Sequence, residues 1–471
     1  MATEPTRPGL HNVGVARPPT GGLGAPSLVP GAGGMGAGPP GMRGNRPSLR
    51  KAFEVFHNRD YRFLWASSLV AFTGMQMQQI ARAVLAWDLT QSYSAVGAVF
   101  LSFGLPMLLF SLIGGAFADR LNKRNLTLVT QAATGILMLI TAALIVADLI
   151  TIELLFIVGL AQGTFFAFGM PARSPLMAVV VGPHQLMSAM ALQNAAMNAT
   201  RLGGPALAGV LIGVWGVEAA YFTQSGLYVI SVALLLVVPA ERGVASAVAR
   251  GSMFREIAAG LRYAGTDPVL RMLMALAFTT ALFAMPYQVL LNGFVEEDLG
   301  RSAGAYAFLQ TLTGAGALVG SLGVAAFTEY ERKPLLQLIS GLAGAAGLLL
   351  LGFGSLAFGF GGAIAAILVL GLMLTVYQTL NQTMIMGAAR PEYYGRVMSM
   401  MMLTFSTMPL MGVPLGIAAD RIGATNVFIA EGAIVVVILL VLALGNPAYT
   451  FGRQSPMIGG GPRAVGEPAG D

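Results

Sequence analysis

Cysteine is absent from all 471 residues, which excludes disulfides, thiol nucleophiles and thiolate metal sites. Charge is scarce as well. Asp, Glu, Lys and Arg make up 10% of the chain, against roughly a quarter in a soluble domain. Histidine occurs only as His11, His57 and His184, each outside the long apolar runs, so no haem or histidine–metal centre is expected inside one. Strand-like alternation of polar and apolar positions is missing too, which argues against an outer-membrane barrel. What remains is apolar: 55% of residues are hydrophobic and the mean hydropathy is +0.72. Uncharged runs such as 125–147 and 424–445 supply the roughly 20 residues a helix needs to cross a bilayer. The chain reads as an all-α integral membrane protein.

Residues 1–50 and 447–471 are rich in Gly, Pro and Ala and read as disordered tails. The first tail lacks a basic-then-apolar start with a small-residue cleavage site, so no cleaved signal peptide is expected. Between the tails lie twelve spans, at 64–87, 95–118, 125–147, 152–171, 188–214, 217–239, 269–291, 303–327, 334–353, 361–386, 396–418 and 424–445. They group as two six-helix bundles, 51–239 and 269–446, joined by a linker over 240–268. Within that linker, 252–265 places Phe254, Ile257, Ala258 and Leu261 on one helical face, which predicts an amphipathic helix lying on the membrane surface.

Bases cluster before the first span (Arg59, Arg62) and after each even-numbered span through the tenth, among them Arg120, Lys123, Arg124, Arg173, Arg332 and Lys333. The opposite loops carry acids: Asp88, Asp148, Glu153, Glu218, Glu296, Glu297 and Asp298. By the positive-inside rule both termini are expected in the cytoplasm. The pI of about 9.7 is then a topology signal and requires no nucleic-acid partner. The two bundles also look like copies. "DLTQS" (88–92) answers to "DLGRS" (298–302), 210 residues on, and "RFLW" from Arg62 to "RMLM" from Arg271, 209 on. A six-span repeat is the signature of a transporter whose halves rock about a central site.

The segment "GAFADRLNKR" (115–124), between spans two and three, resembles the loop signature of the major facilitator superfamily: a Gly, Asp-Arg four residues later, a second Gly, then two bases. Here the second Gly is Asn122, expected to keep the turn in a left-handed conformation. Further segments narrow the resemblance to the branch of enterobactin exporters and macrolide efflux proteins. They are "NRDYRFLW" (58–65), "GMQMQ" (74–78), "PARSPL" (171–176), "RLGGPALAG" (201–209) and "GRVMSM" (395–400). The resemblance spans about 55–445. It implies a major facilitator fold of twelve helices in two pseudo-repeats, a monomer without cofactor or metal, and proton antiport across the cytoplasmic membrane.

The resemblance assigns a conformational latch to Gly115, Asp119, Arg120, Lys123 and Arg124, and a helix-bending Gly-Pro motif to Gly204, Pro205 and Gly209. Exporters often carry an Arg three residues before a Gln-Gly pair in span four; here the pair is Gln162-Gly163 and the Arg position is Gly159. Charges inside spans default to functional roles. Arg201, mid-span, is the best candidate; Arg82 is expected nearer the interface, and Glu431 in a structural role. The cavity candidates are Gln78, Gln79, Arg82, Gln162, Gln193, Asn194, Asn198 and Arg201 in the first bundle. In the second they are Tyr287, Gln288, Gln310, Tyr377, Gln378 and Asn381. Amides donate and accept without net charge, which suits a polar, weakly charged small molecule. Each could equally be hydrogen-bonding glue between helices. The methionines of span eleven, Met398 to Met411, are expected mainly to pack. Together these readings predict an exporter of a small amphiphilic molecule. The alternatives are an uptake or lipid-translocating permease, or a transport-inactive scaffold; no nucleophile–base pair suggests an enzyme.

Overall fold

The computed structural model describes residues 53–182, 184–239, 265–326, 332–389 and 407–446, with isolated positions between them; over 111–120 and 325–326 it describes the backbone alone. The two tails, the expected amphipathic helix and most of "GRVMSM" lie outside the described residues.

Every regular element among those residues is helical. In chain order they are α1 (Arg59–Thr90), α2 (Tyr93–Arg120), α3 (Lys123–Val146), α4 (Ile152–Val181), α5 (Leu186–Trp215) and α6 (Val217–Val237). Then follow α7 (Pro268–Asp298), α8 (Ala303–Ala326), α9 (Lys333–Phe358), α10 (Phe360–Ala388), α11 (Gly412–Ile422, the far end of the eleventh span) and α12 (Ala424–Gly445). Nine of the described helices are long and apolar enough to cross a membrane. Of the other three, α11 is described only over its last turns, and α1 and α5 carry Gln76, Gln78, Gln79, Arg82 and Gln193, Asn194, Asn198, Arg201. The helices richest in polar groups are thus the least hydropathic, and both border the site described below.

Local chemistry sets the helix starts. Asn58 caps α1 by accepting from the N–H groups of Asp60 (3.0 Å) and Tyr61 (3.3 Å), Thr151 caps α4, and Asp267 caps α7 ahead of Pro268. Asn122 is not left-handed. It is extended (φ −63°, ψ 116°) and caps α3, its side chain accepting from Asn125 N–H at 3.0 Å. The turn needs a capping oxygen here, which Asn supplies and Gly would not. "NRDYRFLW" proves to be a clasp. Asn58 Nδ2 donates to Val180 O (2.9 Å), Tyr61 OH to Ala189 O (3.1 Å) and Trp65 Nε1 to Leu192 O (3.1 Å), tying the start of α1 to α4 and α5.

The repeat is visible in the backbone. At the acid-bearing end of the bundle, left-handed residues occupy matching loop positions in both halves: Gln91 and Gly300, Asp148 and Gly359, Gly216 and Gly423, with spacings of 209, 211 and 207. Packing repeats likewise. α2 lies on α4 as α8 lies on α10, α3 on α4 as α9 on α10, and α3 on α6 as α9 on α12. The main seams between the halves are α2 with α11 and α5 with α8, which exchange under the same pseudo-symmetry.

Both seams rely on missing side chains. A Cβ on Gly97 would strike the backbone of Gly412, one on Gly104 would strike Pro409, and one on Gly416 would lie 2.5 Å from Tyr93 O. On the other seam a Cβ on Gly209 would meet Ala307 at 2.5 Å, and one on Gly314 would meet Arg201 O at 2.7 Å. Gly209 of the Gly-Pro motif therefore serves close approach between the halves. Gly204 does the same within the first half, since its Cβ would collide with that of Gln76 on α1.

Candidate functional site

Six helices, α1, α5, α7, α8, α10 and the eleventh span, converge on a central cavity of about 280 Å³. Of the sequence candidates, Gln79, Arg201, Pro205, Tyr287, Gln288, Gln310 and Gln378 line it. From α1 the lining residues are Gln76 and Gln79, not Gln78. Helical phase decides this. Gln78 and Arg82 stand four residues apart on the face against α4, while Gln76, Gln79 and Ile80 turn toward α5 and the second half.

α7 supplies the irregular part of the wall. It departs from α-geometry over Thr280–Ala284, where Met285 N–H reaches Thr280 O at 3.0 Å, and restarts after Pro286. Proline lacks the N–H needed to continue the ladder, and such wide turns are common where a helix serves a function. Met285, Tyr287 and Gln288 all sit at this break and all face the cavity. Pro286 is visible in the sequence, but apolar run length alone reads straight through it as one continuous span. In α5, Pro205 removes the donor that would have served Arg201 C=O four residues earlier, and this is the carbonyl that Gly314 approaches.

The remaining candidates sort into two further places. Gln78 (2% exposed) and Arg82 (5%) are buried between α1 and α4. Gln162 Oε1 accepts from Gln78 Nε2 at 2.5 Å and from Arg82 Nη2, and the Arg82 guanidinium lies 4.8 Å from the Phe103 ring centre. Arg82 therefore does not reach toward the interface, because an amide oxygen and an aromatic face hold it inside. Gly159 could not carry an Arg, since its Cβ would run into Ser102 Oγ. The guanidinium beside Gln162 comes instead from α1.

Arg173 is the largest departure from the sequence reading, which places it in a loop after a span ending at 171. α4 continues to Val181, so Arg173 lies within the helix. It lines two smaller cavities of about 50 and 110 Å³, the first with Gln162 and the second with Gln193 and Asn194. Its guanidinium sits 4.7 Å from the Phe72 ring centre, and Nη1 is enclosed with no hydrogen-bond partner among the described residues. Pro171 and Pro175 flank it inside the helix, and it is these prolines that suggest an early end.

Tyr377 (2% exposed) and Asn381 (4%) are buried away from the cavity. Tyr377 OH donates to Leu276 O (3.1 Å) and Asn381 Nδ2 to Leu273 O (3.4 Å), binding α10 to α7. Asn198 lines none of the three cavities. Met408 faces the central cavity, and Met400 and Met401 pack in an apolar core with Leu273 and Val397. In the loop signature, Arg124 donates to Leu235 O (3.2 Å) and Leu236 O (2.8 Å), capping the end of α6. The side chains of Asp119 and Arg120, and the surroundings of Gly115, lie outside the described residues.

At the acid-bearing end, the start of α2 is held by an acid from the other half. Asp420 of α11 accepts from Tyr93 N–H (2.7 Å), Ser94 N–H (3.1 Å) and Ser92 Oγ (3.1 Å). Nearby, Tyr93 OH donates to Asp298 (3.3 Å) and its ring lies 4.8 Å from that of Trp87. The sequence reading treats this end only as an acidic loop surface. A signal is present in the spacing Gly416, Asp420-Arg421, Gly423, which repeats that of Gly115, Asp119-Arg120, Asn122.

Two pseudo-repeated six-helix halves enclosing a polar cavity define a membrane transporter of the major facilitator type. The fold resembles that of the nucleoside transporter NupG in its crystal structure (TM-score 0.66, 13% identity, 82% of this chain and 98% of that one). It also resembles a POT family transporter (TM-score 0.64, 14% identity, 84% and 97%). The family model of transmembrane secretion effectors matches residues 51–450, and the chain belongs to that family. Relatives include the staphyloferrin A transporter of Staphylococcus aureus (23% identical, 82% of this chain and 96% of the relative) and macrolide efflux protein A of Streptococcus pyogenes (23%, 83% and 98%). The enterobactin exporter of Shigella dysenteriae is 25% identical over 69% of this chain and 79% of its own.

Proposed function

We propose that the protein exports a small amphiphilic molecule across the cytoplasmic membrane by alternating access, driven by proton antiport. The observation that carries the reading is the central cavity. It lies between the halves, combines amides, a tyrosine and one arginine with apolar residues such as Ile80, Leu370 and Leu374, and is bordered by a broken helix. Such breaks are typical of transporter sites near the bilayer midplane. Relatives named as macrolide and enterobactin exporters support the outward direction. With both termini cytoplasmic, the acid-bearing end is the outer one. The close cross-half contacts there, Gly97 with Gly412 and Asp420 with α2, fit an inward-facing state. For coupling, the candidate is Glu431 on α12, a buried carboxyl (1% exposed) whose two oxygens meet no hydrogen-bond partner among the described residues.

The test uses proteoliposomes holding the purified full chain, loaded with candidate siderophores, macrolides or dyes, under an imposed pH gradient. Gradient-dependent efflux is the expected result, and Glu431→Gln is expected to bind substrate while losing the response to the gradient. Movement that ignores the gradient sinks antiport; accumulation against it sinks export.

A further inference from the structure

We infer that the central cavity takes an anionic amphiphile, one bearing a carboxylate or comparable oxyanion, and that Arg201 receives that charge. The inference deepens the transport reading and rests on it for the location of the site. Among the described residues lining the cavity, Arg201 carries the only formal charge; the other polar groups are neutral amides and hydroxyls. No Asp or Glu lines this cavity or the two smaller ones among the described residues. Glu431 is buried at 1% exposure and does not line the central cavity.

The first half repeats this imbalance. Arg82 satisfies itself on Gln162 and Phe103, whereas Arg173 keeps an enclosed, unpartnered Nη1 between two cavities. Cationic side chains inside a membrane protein pair with something or mark a pathway. Arg201 is exposed within the central cavity and no described carboxylate lines that cavity, so an anion entering there would supply its counter-charge. A guanidinium offers an oxyanion two parallel N–H donors, while a ligand ammonium would meet like charge in a medium far less screening than water. The amides of Gln76, Gln79 and Gln378 can then serve the polar remainder, with Met285 and Met408 against the apolar body.

The test compares three probes sharing one fluorophore: dansylglycine (anion), dansylglycinamide (neutral) and dansylcadaverine (cation). Binding is read in nanodiscs and flux in proteoliposomes, so the two readings separate. Dansylglycine should bind at least tenfold tighter than either of the others. Arg201→Gln should erase that preference without weakening the amide, and Arg201→Lys should restore part of it. Preference for the cation, no saturable dansylglycine binding, or an unchanged preference in Arg201→Gln each overturns the inference. Arg201-dependent binding without flux of any probe would instead count against transport and leave the anion site standing.

A second inference stands on separate residues. We propose that Gly416, Asp420 and Gly423 form an outer counterpart of the inner loop signature, latching the acid-bearing end shut. Gly416 lets α11 lie on the backbone of Tyr93 and Ser94, and Asp420 occupies the positive N-terminus of α2. The latch thus joins the halves through a helix cap that must break when this end opens. Spin labels at Asp148→Cys and Phe358→Cys, one on each half of an otherwise cysteine-free chain, report the opening. Asp420→Ala should raise the long-distance population about tenfold, as loss of a good N-cap allows. Arg421→Ala, an exposed neighbour, should leave it unchanged. An unmoved distribution in Asp420→Ala, or an equal shift in Arg421→Ala, overturns the latch.

Discussion

At the scale of single residues, burial and hydrogen bonding separate side chains that the sequence presents as equals. Tyr377 and Tyr287 are both buried tyrosines on cavity helices, but only Tyr287 lines the cavity. Tyr377→Phe removes a bond to Leu276 O and should lower stability by about 1 kcal/mol, with substrate affinity unchanged; thermal unfolding and equilibrium binding on one preparation check both. Arg82→Met takes a charged donor from Gln162 in a buried setting. It should destabilise by about 1–3 kcal/mol, visible as a lower unfolding temperature. These distinctions are illegible in the sequence because an amide serves as glue or ligand depending on which way its helix is rotated.

Among the elements, α7 and the α2–α11 seam hold opposite kinds of irregularity. α7 breaks at Met285–Pro286 to present three side chains to the cavity. Pro286→Ala restores a backbone donor and should let the helix close its ladder, so we expect higher thermal stability with weaker substrate binding. The seam has no room for a side chain at Gly97. Gly97→Leu should keep the acid-bearing end from closing, raising labelling of single cysteines placed along the first turns of α2 above that of the parent background. Span positions are legible to within a few residues for α10 and α12, where apolar runs are long. α4 reads too short because Pro171, Arg173 and Pro175 resemble a helix end, and only packing against α1 and α5 shows the helix continuing.

For the whole molecule, alternating bases and acids predict which ends face the cytoplasm. With no native cysteine, a single cysteine at Gln91 or Gly300 should react with an impermeant maleimide from outside intact cells. One at Lys333 should react only after permeabilisation. Reaction of Lys333→Cys from outside would reverse the orientation and exchange the roles given to the two ends. The pairing of the acid-end loops by their left-handed residues gives the repeat a geometric basis at which two short sequence matches only hint.

Composition, run length and spacing suffice to establish that this chain lives in a membrane, that it is helical and repeated, and to which superfamily it is similar. Such properties belong to each segment on its own and survive without knowledge of its neighbours. The packed helices were needed to show which polar residues share a cavity, why Gln76 and Gln79 face it while Gln78 does not, and that Arg173 lies within a helix. They were needed, too, to reveal an acid of one half capping a helix of the other. Each of these depends on the rotation of one helix against another, a quantity fixed by packing between segments hundreds of residues apart and written in no local stretch of the chain.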